Sequence, residues 1–193
     1  PGRGRRSDGI DDGEVVEGAP SVPSEAFRYA FSLLLAGETA ADYAAGARAM
    51  GKAFRGSEVE PMTHSLIRIG RAITAEEVGL ALRELAAISR DIGRWFESYD
   101  ILLQPTLGMP PFEIGALQAR GLLAFQTWLA NHLPLGNVAK KREMMLPIGE
   151  RLYEWIPNTP VFNTTGQPSI SLPLHWSGDG LPVGMMLTGR HLF

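Results

Sequence analysis

From Ser24 to about Phe54 apolar side chains recur at spacings of three and four, with Phe27, Phe31, Leu34 and Leu35 on one stripe. That is the period of an amphipathic helix with a buried face. Gly37 and Gly46 lower helix stability, which predicts a break near Gly37. Pro61 to Arg71 reads as a connector with a short helical turn. Thr74-Ala-Glu-Glu77 then forms a capping box, with Thr74 at the N-cap and Glu77 at the third helical position. The helix it opens sets Val78, Leu82, Leu85, Ile88, Ile92 and Trp95-Phe96 on one face and ends near Tyr99-Asp100. Ile101-Leu-Leu-Gln-Pro-Thr106 follows as a buried strand, Leu107 to Gly115 as a Pro/Gly loop, and Leu117 to His132 as a further helix. Pro160 to Pro168, rich in Asn, Thr and Gly, predicts turns. Ser169 to Leu174 alternates polar and apolar residues as a half-buried strand does, with Pro173 suiting an edge. Gly178-Asp-Gly180 is a turn, and Val183 to Leu187 a second strand antiparallel to the first. Helix leading into apolar strand is the rhythm of an α/β layer, so one sheet flanked by helices is expected.

Composition narrows the function. A length of 193 residues fits one domain, and a net charge of −3 offers no electrostatic footprint for nucleic acid or an anionic membrane. Cysteine is absent, which removes a disulfide framework, a thiolate nucleophile and any cysteine-bound metal. No apolar run reaches the ~18 residues that a membrane span needs, and no signal peptide is recognisable, so a cytoplasmic location is expected. Residues 1–13, PGRGRRSDGIDDG, have no periodicity and read as a disordered or non-native arm before a unit over 14–193. Their acidic residues fail as a calcium loop because Ile10 stands where an EF-hand needs Asp or Asn. Lys140-Lys-Arg-Glu143 reads as a solvated charge run. His64, His132, His175 and His191 are scattered without metal-ligand spacing, so no metal site is expected.

Certain ordered words are more specific than their pattern. Asn163, Thr165-Gly166, Pro168, Ser171 and Pro173 are followed by Asp179-Gly-Leu-Pro182, Gly184 and Gly189-Arg190. With Tyr99-Asp-Ile-Leu-Leu-Gln-Pro-Thr106 and the Glu14-Val-Val-Glu-Gly-Ala-Pro20 segment, they resemble the C-terminal part of the amidase signature family. The resemblance runs from about Glu14 to Arg190. It implies an incomplete amidase signature fold, part of a mixed sheet with several partner strands missing, and a short strand from Glu14. The wording is closer to the broad amidases, including those acting on the 6-aminohexanoate cyclic dimer. It is less like the amidotransferase subunit that releases ammonia for charged transfer RNA.

The family's chemistry uses a serine nucleophile activated through a second serine by a buried lysine, with backbone amides stabilising the oxyanion. Lys52, Lys140 and Lys141 are the three lysines here, and none lies in an apolar strand flanked by glycines. No Gly/Ser-rich run like Gly-Gly-Ser-Ser-Gly exists, and no Gly-x-Ser-x-Gly elbow. No catalytic residue is therefore assigned, and the chain alone is expected to be inactive. The start at Pro1 and the end just past a strand are expected to reflect truncation. What remains for this part is a wall of the substrate pocket, on two loops that resemble family segments near the substrate channel. Thr106, Met109 and Phe112 lie on the first, and Trp155, Asn163 and Gln167 on the second, expected as a loop from Trp155 to Gln167. Asn163 and Gln167 read more readily as stabilisers of their own turn. No cofactor is implied. A small-molecule amide is the expected partner of the full-length enzyme, and a homodimer stays open. The alternative functions are a non-catalytic binding or assembly module, or part of the A subunit of a transfer-RNA-dependent amidotransferase.

Overall fold

The computed structural model of the chain describes residues 13–111, 113–116 and 120–191. The chain begins on a helical layer. Helix α1 (Ser24–Ala49) crosses α2 (Pro61–Gly70), and α3 (Ala75–Trp95) packs along α1. A strand β1 (Ile101–Pro105) follows, then helices α4 (Gly121–His132), α5 (Gly136–Ala139), α6 (Arg142–Trp155) and α7 (Thr159–Thr165). Strands β2 (Ser169–Trp176) and β3 (Pro182–Gly189) complete a three-stranded antiparallel sheet ordered β1-β3-β2. The α/β class, the common sheet and the antiparallel β2/β3 pair are as expected from the sequence. Among the described residues all strand pairs are antiparallel.

Register separates the two faces of the sheet. Leu102↔Thr188↔Ser169 and Gln104↔Met186↔Ser171 lie on one face. Leu102 and Met186 there belong to one core cluster with Phe27, Leu33, Leu85, Ile88, Ile92, Phe96, Met145, Tyr153, Val161 and Phe162. The other face carries the rows Leu103↔Leu187↔Ile170 and Pro105↔Met185↔Leu172. Among the described residues, helices thus cover one side only. On the other, Ile101, Leu103, Ile170 and Leu174 remain 54–61% exposed. The register shifts between Pro173 and His175 on edge strand β2, where a proline without a donor is tolerated.

Several expectations need correction. Helix α1 is continuous through Gly37, because burial along Phe27, Ala30, Leu33, Ala36 and Ala40 outweighs a glycine penalty of about 1 kcal/mol. Its buried stripe is rotated from the expected one. Small residues face α2 so closely that a Cβ on Gly70 would lie 2.0 Å from the Ala36 carbonyl oxygen. Phe31, Leu34, Leu35 and Leu82 instead line a groove of about 680 Å³ between α1 and α3. The connector before Thr74 is a full ten-residue helix, α2, opened by Pro61 at a position where its missing N–H costs nothing. Glu14 onward forms no strand and pairs with none, with Val15 95% exposed. The capping box forms as expected: the Glu77 amide donates to Thr74 Oγ1 at 3.2 Å and the Thr74 amide to Glu77 Oε2 at 2.7 Å. The expected arm over 1–13 lies outside the described residues, Gly13 apart.

Lys140 is not part of a solvated charge run. Its ammonium donates to Glu77 Oε2 at 2.6 Å and to the Ala72 carbonyl at 2.9 Å, with only 14% of the side chain exposed. Tyr29 donates from above to the Lys140 carbonyl at 3.3 Å. Similar polar pins fix α4 to α2: Asn131 donates to the Pro61 carbonyl, Ser65 to Asn131 Oδ1, and Arg68 to the Leu133 carbonyl. Helix α4 is thus hydrogen-bonded to α2 through polar groups, while Leu122, Phe125 and Trp128 point outward at 72%, 58% and 53% exposure.

Candidate functional site

β1 delivers Thr106 one residue beyond its last paired position. The Thr106 amide donates to the Gly184 carbonyl at 2.9 Å, and Thr106 Oγ1 lies 2.6 Å from Ser171 Oγ. The hydroxyls meet over Gly184 because it lacks a side chain; a Cβ there would lie 2.8 Å from Ser171 Oγ and 3.0 Å from Thr106 Oγ1. Three strands so bring two hydroxyls together at one end of the sheet. The loop then turns onto the end of α6. Gly108 donates its amide to the Trp155 carbonyl at 2.9 Å, and a Cβ at Gly108 would sit 2.3 Å from the Glu154 carbonyl oxygen. Asn158 closes the corner by donating from Nδ2 to the Pro105 carbonyl at 2.8 Å.

Beside this corner is a cleft of about 510 Å³ that shares Glu154, Pro157 and Asn158 with it and is also lined by Phe27, Arg28 and Tyr153. Its size lies in the range of small-molecule pockets, about 300–1,000 Å³. The Arg28 guanidinium sits 5.9 Å over the Tyr153 ring. Burial pushes the Tyr153 hydroxyl up to about 12, against a smaller downward pull from Ser32 and Arg28. Tyr153 therefore stays neutral at physiological pH. Among the described residues, no lysine or histidine is hydrogen-bonded to the Thr106 or Ser171 hydroxyl. Neither hydroxyl has the adjacent base that a nucleophile needs.

The structure divides the residues expected to bind substrate. Thr106, Met109 and Trp155 come together at this corner, with Met109 43% exposed and Trp155 half-buried. Phe112 lies outside the described residues. Asn163 and Gln167 belong to the opposite end of the sheet, beyond the Ile101↔Gly189 pair. They are not on the loop expected from Trp155 to Gln167: α7 occupies Thr159–Thr165, and Gly166, at φ 72°, ends it in the left-handed conformation. Pro160 in the first turn and a C-terminal glycine are helix signals, which a turn-rich composition obscured. Asn163 is exposed on that helix. Gln167 is 6% exposed, accepts from Thr165 Oγ1 at 3.0 Å and donates to the Gly189 carbonyl at 3.4 Å. Ser171, Gly184 and Asn158 were not expected at the corner. Their proximity follows from strand register, which no local sequence signal carries. Among the described residues, no group of three or more His, Asp or Glu could hold a metal ion, and no helix is long and apolar enough to cross a membrane.

Comparison with known proteins adds what geometry does not. A family model described as Amidase matches residues 11–192. The putative amidase AmiC of Mycobacterium tuberculosis (strain ATCC 25618 / H37Rv) is 36% identical over 149 residues, covering 75% of this chain and 26% of its own. The 6-aminohexanoate-cyclic-dimer hydrolase of Pseudomonas sp. (strain NK87) is 26% identical over 143 residues, covering 74% and 26%. A solved structure of 6-aminohexanoate cyclic dimer hydrolase superposes with a TM-score of 0.63 at 22% identity, covering 88% of this chain and 33% of that one. This last likeness is one of fold. The chain spans about a quarter of the length of the curated relatives it matches.

Proposed function

We propose, from the premise that the chain belongs to the amidase family, that it forms the C-terminal portion of an enzyme hydrolysing the carbon–nitrogen bonds of small-molecule amides, linear or cyclic. In this reading it supplies sheet core and one wall of the substrate pocket, while the Ser-Ser-Lys machinery comes from polypeptide outside these residues. The corner where Thr106, Ser171, Gly184, Trp155 and Asn158 meet carries the reading. It offers hydroxyl, amide and aromatic surface beside a cleft, with no base on either hydroxyl. Thr106 and Trp155 are the wall residues this supports best, with Met109 at the mouth. Gln167 is spent on its own turn. The 6-aminohexanoate-cyclic-dimer hydrolases among the relatives make cyclic amides the first substrates to test. A cytoplasmic setting is consistent with a chain free of cysteine.

Treating the 193-residue chain with a fluorophosphonate probe and an aryl amide tests the division of labour. No serine should be labelled and no amide turned over by the chain alone. Specific labelling of a serine together with turnover above background would overturn it. Joined to the rest of an amidase domain, the chain should support turnover, and Trp155→Ala should raise KM more than it lowers kcat. Failure of every such joined form on linear and cyclic amides would instead favour a non-catalytic binding module.

A further inference from the structure

The cleft of about 510 Å³ between α1 and α6 carries opposite charges that do not meet. Its floor is apolar, built from the buried Phe27, Tyr153 and Val161. Arg28 enters from the start of α1 and is half-buried. Its Nε donates to the Ser24 carbonyl at 3.0 Å, and its guanidinium lies 5.9 Å over the Tyr153 ring. Those contacts orient the guanidinium plane and leave its Nη donors without a protein partner among the described residues. On the facing helix, Glu150 and Glu154 stand one turn apart, both exposed and both lining the same cleft. Among the described residues, neither carboxylate pairs with Arg28 or with any other cation. Two like charges at this spacing on a helix repel one another, so the pair gains from a cation placed between them.

We propose that this cleft binds an aliphatic amino acid, free or as the end of an amide built from one. The carboxylate of the ligand sits on the Nη edge of Arg28, which matches a carboxylate in plane and spacing. Its ammonium sits between Glu150 and Glu154, and its methylenes lie on Phe27, Tyr153 and Val161. A mostly apolar pocket with a few convergent polar groups is the usual form of a small-molecule site, and here those groups have both signs. A ligand with one charge, or none, leaves at least one wall unanswered. The proposal deepens the functional reading above and rests on it for the step from ligand to substrate. Glu154 and Asn158 belong to both the cleft and the Thr106 corner, so the ammonium end of the ligand is the one nearer the corner. Amides derived from amino acids are then preferred over simple aryl amides.

Calorimetric titration of the 193-residue chain with norvaline and with 5-aminopentanoate, each against pentanoate and pentylamine, reads the two charges separately. At least one zwitterion should bind tenfold or more tighter than either half-ligand, and the tighter of the two reports how far apart the walls hold the charges. Arg28→Gln should weaken the zwitterion and pentanoate at least fivefold and leave pentylamine within twofold. Glu150→Gln combined with Glu154→Gln should do the converse, weakening the zwitterion and pentylamine and sparing pentanoate. Arg142→Gln, which breaks an exposed pair with Glu25 away from the cleft, should change every probe less than twofold. Should Arg28→Gln not fold, protection of Arg28 from phenylglyoxal by the zwitterion in the parent chain gives the same answer. Zwitterions that bind no tighter than their halves would overturn the proposal, as would variants that lose all probes equally. The titration needs no hydrolysis, so the two readings fail separately. Charge-specific binding with every joined form inert leaves the cleft standing and sinks the enzymatic role, and turnover without such binding does the reverse.

Discussion

Replacing Lys140 with methionine removes two bonds from its ammonium, 2.6 Å to Glu77 and 2.9 Å to the Ala72 carbonyl, while keeping the aliphatic stem. An exposed ion pair contributes about 0–1 kcal/mol, and breaking a fully buried one costs about 3–5 kcal/mol. With side-chain exposures of 14% and 29%, this pair stands between those limits. Glu77 also keeps its bonds to Thr74, so it is not stranded. A loss of about 2 kcal/mol follows, which for a chain of this size lowers Tm by about 4–8 °C. Calorimetry or urea unfolding measures it, with the exposed neighbour Lys141→Met as a control expected within about 0.5 kcal/mol of the parent. The pH dependence has a definite sign. The Glu77 carboxyl is held below its ordinary value of 4.5, chiefly by the Lys140 hydrogen bond and then by the Thr74 amide. A depressed carboxylate stabilises the fold above its unfolded pKa and loses that contribution as pH falls through the folded one. The gap between parent and Lys140→Met should thus be constant near neutrality and narrow below about pH 4.5. Equal losses for Lys140→Met and Lys141→Met, or a gap undiminished in acid, would refute the reasoning.

Gly70→Ala should be among the most damaging single substitutions, costing more than about 3 kcal/mol, because its Cβ would meet the Ala36 backbone oxygen at 2.0 Å and α1 would have to move; the yield of folded protein and its urea midpoint report this. Gly184→Ala should cost about 1–2 kcal/mol by pushing Ser171 and Thr106 apart, and adding Ser171→Ala should recover part of the loss in a double-mutant cycle.

How much of this was legible in the sequence depended on how far apart the interacting groups lie. The capping box at Thr74 spans three residues and reads directly. The three strands were legible because period-two alternation and bounding Gly/Pro are local signals. Helix α7 was obscured by a composition that favours turns, although Pro160 and Gly166 sit where helices accept them. Lys140 looked solvated because its partner, Glu77, lies 63 residues away. The rotated stripe on α1 reflects a helix crossing, and the crossing distance is set by Gly70 and Ala36 together, not by either segment's own pattern. For the candidate site, the loop carrying Thr106 and Met109 meets Trp155, which is the last residue of α6 and not part of the expected loop. Asn163 and Gln167 separate from them because α7 carries them to the other end of the sheet.

The polar seating of α4 determines how that helix comes off. Leu122, Phe125 and Trp128 on it already face water, and Asn131, Ser65 and Arg68 supply the pins. Detachment would therefore break these hydrogen bonds while those three side chains stay in water. Its amides would then exchange with solvent through an opening separate from global unfolding, with α4 acting as the chain's earliest cooperative unit to release.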